Sequence, residues 1–192
     1  MSDSLFSAEE WRRYTRHIQL PQLGAAGQTA LKNASVLVVG AGGLGSPALL
    51  YLAAAGVGEI CIFDGDTIEL TNLQRQILFD TGQVGESKAL CAKQRIEALN
   101  PNIKVTAIPA YFQRENGSRA LTDADLVLDC TDNFATRYLI NDLCAQTKTP
   151  WVFASIYQFS GQAALFTPDE SCFRCLFPVS YTHLTLPTIL LV

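Results

Sequence analysis

Ser35-Val-Leu-Val-Val-Gly-Ala-Gly-Gly-Leu-Gly45 is an apolar strand that runs straight into a glycine turn. A second apolar stretch, Glu59-Ile-Cys-Ile-Phe-Asp64, ends on an acid about twenty residues further on, which is the layout of a mononucleotide-binding βαβ unit. Val36 to Val39 form a nearly continuous β-branched run, as expected of a strand buried on both faces of a parallel sheet. Ser46, Pro47 and the Ala/Leu-rich stretch to Ala55 read as the helix leaving the turn, with Gly56 as its stop.

Outward from this unit, strands and helices alternate. Ser7 and Glu10 make a capping-box pattern that predicts a helix from near Ala8, ended or interrupted by Pro21 and Gly24. A short helix is expected over Gln28 to Lys32. Further helices are expected over Glu86 to Leu99 and Tyr138 to Gln146. Strands are expected at Lys104 to Ile108, Leu126 to Asp129, Trp151 to Ala154 and Gln162 to Phe166. The order implies an α/β fold: a Rossmann-like, doubly wound, mainly parallel sheet with an N-terminal helical extension.

At 192 residues, 48% hydrophobic and 17% charged, the chain has the composition of one globular domain. Its net charge of −4 argues against a nucleic-acid partner, whose footprint is a basic face. The N-terminus lacks the basic and apolar regions of a secretory signal, and the apolar stretches are too short to span a bilayer. The six cysteines are therefore expected in a reducing, cytoplasmic setting, with no membrane partner.

Gly40, Gly42 and Gly45 occupy the three positions of G-x-G-x-x-G, with Gly43 as an additional glycine. This motif serves NAD, FAD or SAM as readily as ATP. Asp64 is placed to accept hydrogen bonds from a ribose diol, which suits NAD and ATP equally. Asp66 follows on the loop, as a ligand contact or a solvated acid. The segment Thr71-Asn-Leu-Gln-Arg-Gln76 shifts the balance, because a triphosphate can use the bidentate donors of Arg75 where a dinucleotide has no need of them. Lys88 opens a helix, where point charge and helix dipole act on the same anion. Asp132, after the fourth strand, can hold magnesium, and either it or Asn133 can cap the next helix. Cys172 and Cys175 form a C-x-x-C, half of a tetrahedral zinc site. Cys61 and Cys91 read as packing residues.

The combination of Arg13 and Arg16, VLVVGAGGLG, YLAAAGVG, D-x-D, NLQRQ, Gly85 with Lys88, DCTDN with Arg137 and Asn141, and CFRCLFP resembles the ThiF/MoeB/HesA family over roughly Glu9 to Pro178. These relatives of the ubiquitin-activating enzymes adenylate the C-terminal glycine of a small ubiquitin-like sulfur-carrier protein. The resemblance implies that the glycines approach ATP and Asp64 holds its ribose. It places Asn72, Leu73, Gln74, Arg75 and Lys88 around the phosphates, with Asp66 nearby. Asp132 positions Mg2+, with Asn133 beside it. Arg16 reaches the γ-phosphate in the neighbouring subunit of a homodimer, and Cys172 and Cys175 match half of a structural Zn2+ site.

After Pro178 the family pattern stops. Ser180 to Val192 carries no charge and no family motif, so residues 1–179 are expected to be an incomplete adenylyltransferase domain and 180–192 a non-family tail. Two other readings stay open on the sequence: an NAD-dependent oxidoreductase and an inactive nucleotide-binding partner subunit.

Overall fold

The computed structural model describes residues 6–178. The expectations for Met1 to Leu5 and for the 180–192 tail lie outside the described residues. Helices α1 (Ala8–Ile18) and α2 (Gly24–Asn33) lead into β1 (Ser35–Val39), α3 (Gly45–Ala55) and β2 (Glu59–Phe63). A long connection with two 3-10 turns reaches α4 (Lys88–Leu99) and β3 (Lys104–Ile108). Next come α5 (Arg114–Leu121), β4 (Leu126–Asp129), α6 (Phe134–Thr147), β5 (Trp151–Tyr157), β6 (Ser160–Phe166) and the single turn α7 (Phe173–Leu176).

The six strands form one sheet in the order β3-β2-β1-β4-β5-β6. The first five are parallel and β6 folds back antiparallel on β5. Alternation along β1 decides the two layers. Val36 and Val38 pack with Leu49 and Ala53 of α3 and Cys91, Ala92 and Ile96 of α4. Leu37 and Val39 face the other way, onto Leu121 of α5, Ile140 and Leu143 of α6, and an aromatic group of Trp151, Phe153, Phe166 and Phe173. A strand covered on both faces needs apolar side chains at every position, which is why β1 shows no polar alternation.

The N-terminal extension clamps the end of the sheet opposite the glycine turn. Both bonds of the expected capping box are present, at 3.1 Å from the Glu10 amide to Ser7 Oγ and 2.7 Å from the Ser7 amide to Glu10 Oε2. Tyr14 of α1 is buried against Gly56, leaving no room for a side chain there. The fully buried Asn100 donates through Nδ2 to the Tyr14 hydroxyl at 2.8 Å and to the Ala53 carbonyl at 2.7 Å. Gln28, also fully buried, donates to the Ala55 carbonyl at 2.9 Å while its Oε1 meets His17 Nδ1 at 2.9 Å.

The sequence reading differs from the structure at element ends. Helix α1 ends at Ile18, ahead of Pro21, and α2 begins at Gly24, whose φ of 60 glycine tolerates, four residues before the expected start at Gln28. Helix α6 begins at Phe134, four residues before the expected start, since Asn133 Oδ1 accepts the Thr136 amide at 2.9 Å. Helix α5 was not anticipated. Its Asn116 and Gly117 are weak helix formers, but the Phe112 ring occupies the space a Gly117 side chain would need, so tertiary packing outweighs local propensity.

Asn100→Ala is expected to lower the unfolding free energy by roughly 2–3 kcal/mol in urea denaturation, because buried partners lose their donor. A loss below about 0.5 kcal/mol, the size of an ordinary surface substitution, contradicts this account of the clamp.

Candidate functional site

The carboxyl ends of β1, β2 and β4 lie side by side, and the winding direction reverses between β1 and β4. Such a reversal opens the crevice in which α/β sheets bind ligands. Gly40 turns at φ 95, and a Cβ there would lie 2.9 Å from the Cys130 carbonyl oxygen on the β4 side of the crevice. A Cβ on Gly45 would lie 2.0 Å from the Gly40 carbonyl oxygen. The third glycine therefore closes the turn onto its own start.

The middle of the turn faces the NLQRQ segment. A Cβ on Gly43 would lie 3.4 Å from Arg75 Cδ, and one on Gly42 3.6 Å from Gln76 Nε2. Arg75 is exposed, and among the described residues its guanidinium bonds the Thr71 carbonyl alone, at 3.3 Å through Nη1, so it keeps donors for an anion. The half-buried Leu73 packs against the core. Asn72 Oδ1 accepts the Glu69 amide at 3.3 Å, and exposed Gln74 reaches the Thr71 carbonyl at 3.5 Å. Gln76 was not singled out by the sequence reading. It is buried beside the turn, with an Oε1 that has no hydrogen-bond partner among the described residues.

Asp64 joins the turn to the second strand. Its Oδ2 accepts the Ala41 amide at 2.8 Å and its Oδ1 the Asp66 amide at 2.9 Å. Burial lifts its carboxyl above the usual value, and these two amides and Lys88 offset only part of the rise. Asp66 lies two residues on, 3.1 Å from the buried Lys88 Nζ, and its other oxygen accepts the Tyr111 hydroxyl at 2.8 Å. Partial burial raises the Asp66 carboxyl, but Tyr111 and Lys88 outweigh that and hold it below the usual value.

Across the crevice, Asp132 is exposed and has no partner among the described residues, so its carboxylate is free to meet a cation. Asn133 is spent as the cap of α6. Behind them Asp129 is buried and accepts the Thr131 amide at 2.9 Å and hydroxyl at 2.6 Å. Arg137 donates to the Thr131 carbonyl at 2.7 Å, and its guanidinium lies 5.0 Å from the Phe153 ring centre and 5.4 Å from that of Phe134. Its Nε stands 3.7 Å from Asp129 Oδ2, and neither atom has a hydrogen bond among the described residues.

Three expected site residues lie apart from this group. Arg16 is exposed on α1, without a partner among the described residues. Its neighbour Arg13 reaches the Leu99 carbonyl at 3.0 Å, roughly 16 Å along α4 from Lys88 at 1.5 Å rise per residue. Cys172 and Cys175 lie at α7, with sulfurs 3.5 Å apart. Two thiolates on one tetrahedral zinc are about 3.8 Å apart at Zn–S bonds of 2.3 Å, so the pair suits two of four ligands. No cluster of three or more His, Cys, Asp or Glu able to hold a metal occurs among the described residues. Burial pushes the Cys61 and Cys91 thiols up to about 11 and those of Cys130 and Cys144 up to about 12, consistent with unreactive packing residues.

Fold and site together define a Rossmann-like α/β domain with cations placed beyond its glycine turn. The ThiF family model matches residues 14–189, and the chain belongs to that family. It is 50% identical over 179 residues to a sulfur carrier protein adenylyltransferase of Thermus thermophilus, covering 90% of this chain and 66% of that protein. It is 45% identical over 171 residues to the Escherichia coli sulfur carrier protein ThiS adenylyltransferase, covering 88% of this chain and 68% of the other. The fold matches E. coli MccB solved with ATP at a TM-score of 0.75 and 30% identity, over 91% of this chain and 54% of MccB. The chain thus spans about two thirds of these curated relatives and about half of that solved protein. Among the described residues no helix is long and apolar enough to cross a membrane.

Burial raises the Asp129 carboxyl, while Thr131 and Arg137 pull it down. A folded value above the unfolded one means that this group supports folding below the unfolded aspartate's value of about 3.9 and opposes it as pH rises through the folded value. Arg137→Ala should therefore cost about 3–5 kcal/mol at neutral pH, where it leaves a buried charge uncompensated, and clearly less near pH ~4. Equal losses at both pH values, measured against the parent chain in urea, contradict the pairing.

Proposed function

We propose that this chain is the nucleotide-binding part of an adenylyltransferase that activates the C-terminal glycine carboxylate of a small ubiquitin-like sulfur-carrier protein with ATP. The observation that carries the reading is the seating of Arg75 along Gly43, with Lys88 paired to Asp66, whose amide bonds the acid that holds the glycine turn. Cations so placed suit a chain of phosphates. The names of the Thermus and E. coli relatives favour a sulfur carrier as acceptor, and ATP in MccB favours the nucleotide.

In the proposed reaction a carboxylate oxygen of the carrier attacks the α-phosphorus. The bond from that phosphorus to the β-bridging oxygen breaks, and acyl-adenylate and pyrophosphate result. The protein's task in such a step is alignment and neutralisation of charge. Asp64 takes the ribose hydroxyls, and the glycine turn admits the phosphates close to backbone. Arg75 and Lys88 offset the charge growing on the departing pyrophosphate. Asp132 would hold a magnesium ion, which supplies further positive charge to phosphate oxygens.

Arg16 lies at the far end of α4 from its own glycine turn, so we assign it to the site of a second subunit in a homodimer. Cys172 and Cys175 would provide two ligands of a structural zinc. A cytoplasmic setting accords with this chemistry.

Carrier-dependent exchange of pyrophosphate into ATP is the test. Arg75→Ala or Asp132→Ala should each reduce exchange at least ~100-fold, the scale of losing one transition-state electrostatic partner. A reduction below tenfold overturns these roles, and ATP binding without exchange indicates an inactive partner subunit. Mixing Arg16→Ala chains with Asp132→Ala chains should restore about one quarter of the parent rate, because half the dimers of a two-fold assembly then carry one intact site. No recovery on mixing contradicts the trans arginine.

A further inference from the structure

Tyr111 follows β3 in a link that carries no nucleotide motif. Its ring lies against Gly65, between the two acids of the D-x-D pair, and a Cβ at Gly65 would come within 2.9 Å of the ring. Its hydroxyl donates to Asp66 Oδ1 at 2.8 Å, while Asp66 Oδ2 receives Lys88 Nζ at 3.1 Å. Lys88 is buried to 8% side-chain exposure, but Asp66 is 49% exposed and would otherwise be free to turn. Nothing in the proposed reaction requires a residue here.

We propose that Tyr111 is a positioning residue: its hydroxyl fixes the Asp66 carboxylate so that Asp66 holds the Lys88 ammonium by one oxygen only, aimed at the phosphate site. This assignment rests on the triphosphate reading above. An ammonium has three donors, and a carboxylate free to rotate can offer it either oxygen or let it go. With Oδ1 tied to Tyr111, Lys88 makes one bond to Asp66 and keeps its remaining donors for phosphate oxygens. The Asp64 Oδ1 accepts the Asp66 backbone amide, and the charge of the Asp66 carboxylate adds to the rise of the Asp64 carboxyl. Tyr111 acts through Asp66 and touches no reacting atom.

The test is calorimetric binding of inorganic tripolyphosphate, which has neither base nor ribose, to the full chain in magnesium buffer. Tyr111→Phe, which removes only the hydroxyl, should weaken binding about fivefold, the scale of one hydrogen bond to a charged group transmitted through its partner. Tyr111→Leu, which keeps an apolar contact on Gly65, should show the same loss. In an Asp66→Ala background, Tyr111→Phe should change binding less than about twofold, because coupled residues do not add. Equal losses in both backgrounds, or no loss in the first, overturn the assignment. If the parent chain binds tripolyphosphate and Mg·ATP but Tyr111→Phe binds like the parent, only this inference falls. If the parent binds neither, the triphosphate reading falls with it.

Discussion

The bond from the Ala41 amide to Asp64 joins the two halves of the site. It ties the glycine turn, which leaves β1, to the acid at the carboxyl end of β2. Because Asp64 also accepts the Asp66 amide, and Asp66 pairs with Lys88, one hydrogen-bonded line runs from the glycine turn to the first residue of α4. Burial resists the ionisation of Asp64, and the backbone amides make that ionisation tolerable. The shape of the turn and the placement of charge are thus set by the same few contacts.

The other side of the crevice is held by α6. Its first turn follows Asp132 and Asn133, and its middle is fastened to the Cys172–Cys175 turn. Asn141 Oδ1 accepts the Phe173 amide at 2.9 Å, Arg174 bonds Asp142 with two nitrogens at 2.7 and 2.8 Å, and Tyr138 donates to the Phe177 carbonyl at 2.7 Å. The cysteine turn is thus joined to the helix whose first turn follows the aspartate proposed to hold magnesium.

Much of this arrangement is legible in the chain because its strongest signals are local. The β-branched run into glycines, the acid ending β2, and the cap of α1 each depend on neighbours a few residues away. The doubly wound sheet follows from their order. Other features depend on contacts distant in sequence and leave no local mark. Helix α5 is stabilised by Phe112 packing over a glycine that argues against a helix. Gln76 is buried only because the glycine turn lies on it, and Tyr111 meets Asp66 only because β3 is hydrogen-bonded beside β2. The separation of Arg16 from its own glycine turn is likewise a property of the folded helices, whereas its presence in an R-x-x-R pattern is visible in the sequence.

On the proposed reading the cations past the glycine turn select the three linked phosphoryl groups of a nucleoside triphosphate over the two of a dinucleotide. Calorimetric titration of the full chain with Mg·ATP and with NAD+ tests it most directly. The account predicts saturable uptake of Mg·ATP that weakens as salt is raised, with no heat from NAD+. Uptake of NAD+ by a chain indifferent to Mg·ATP would contradict it.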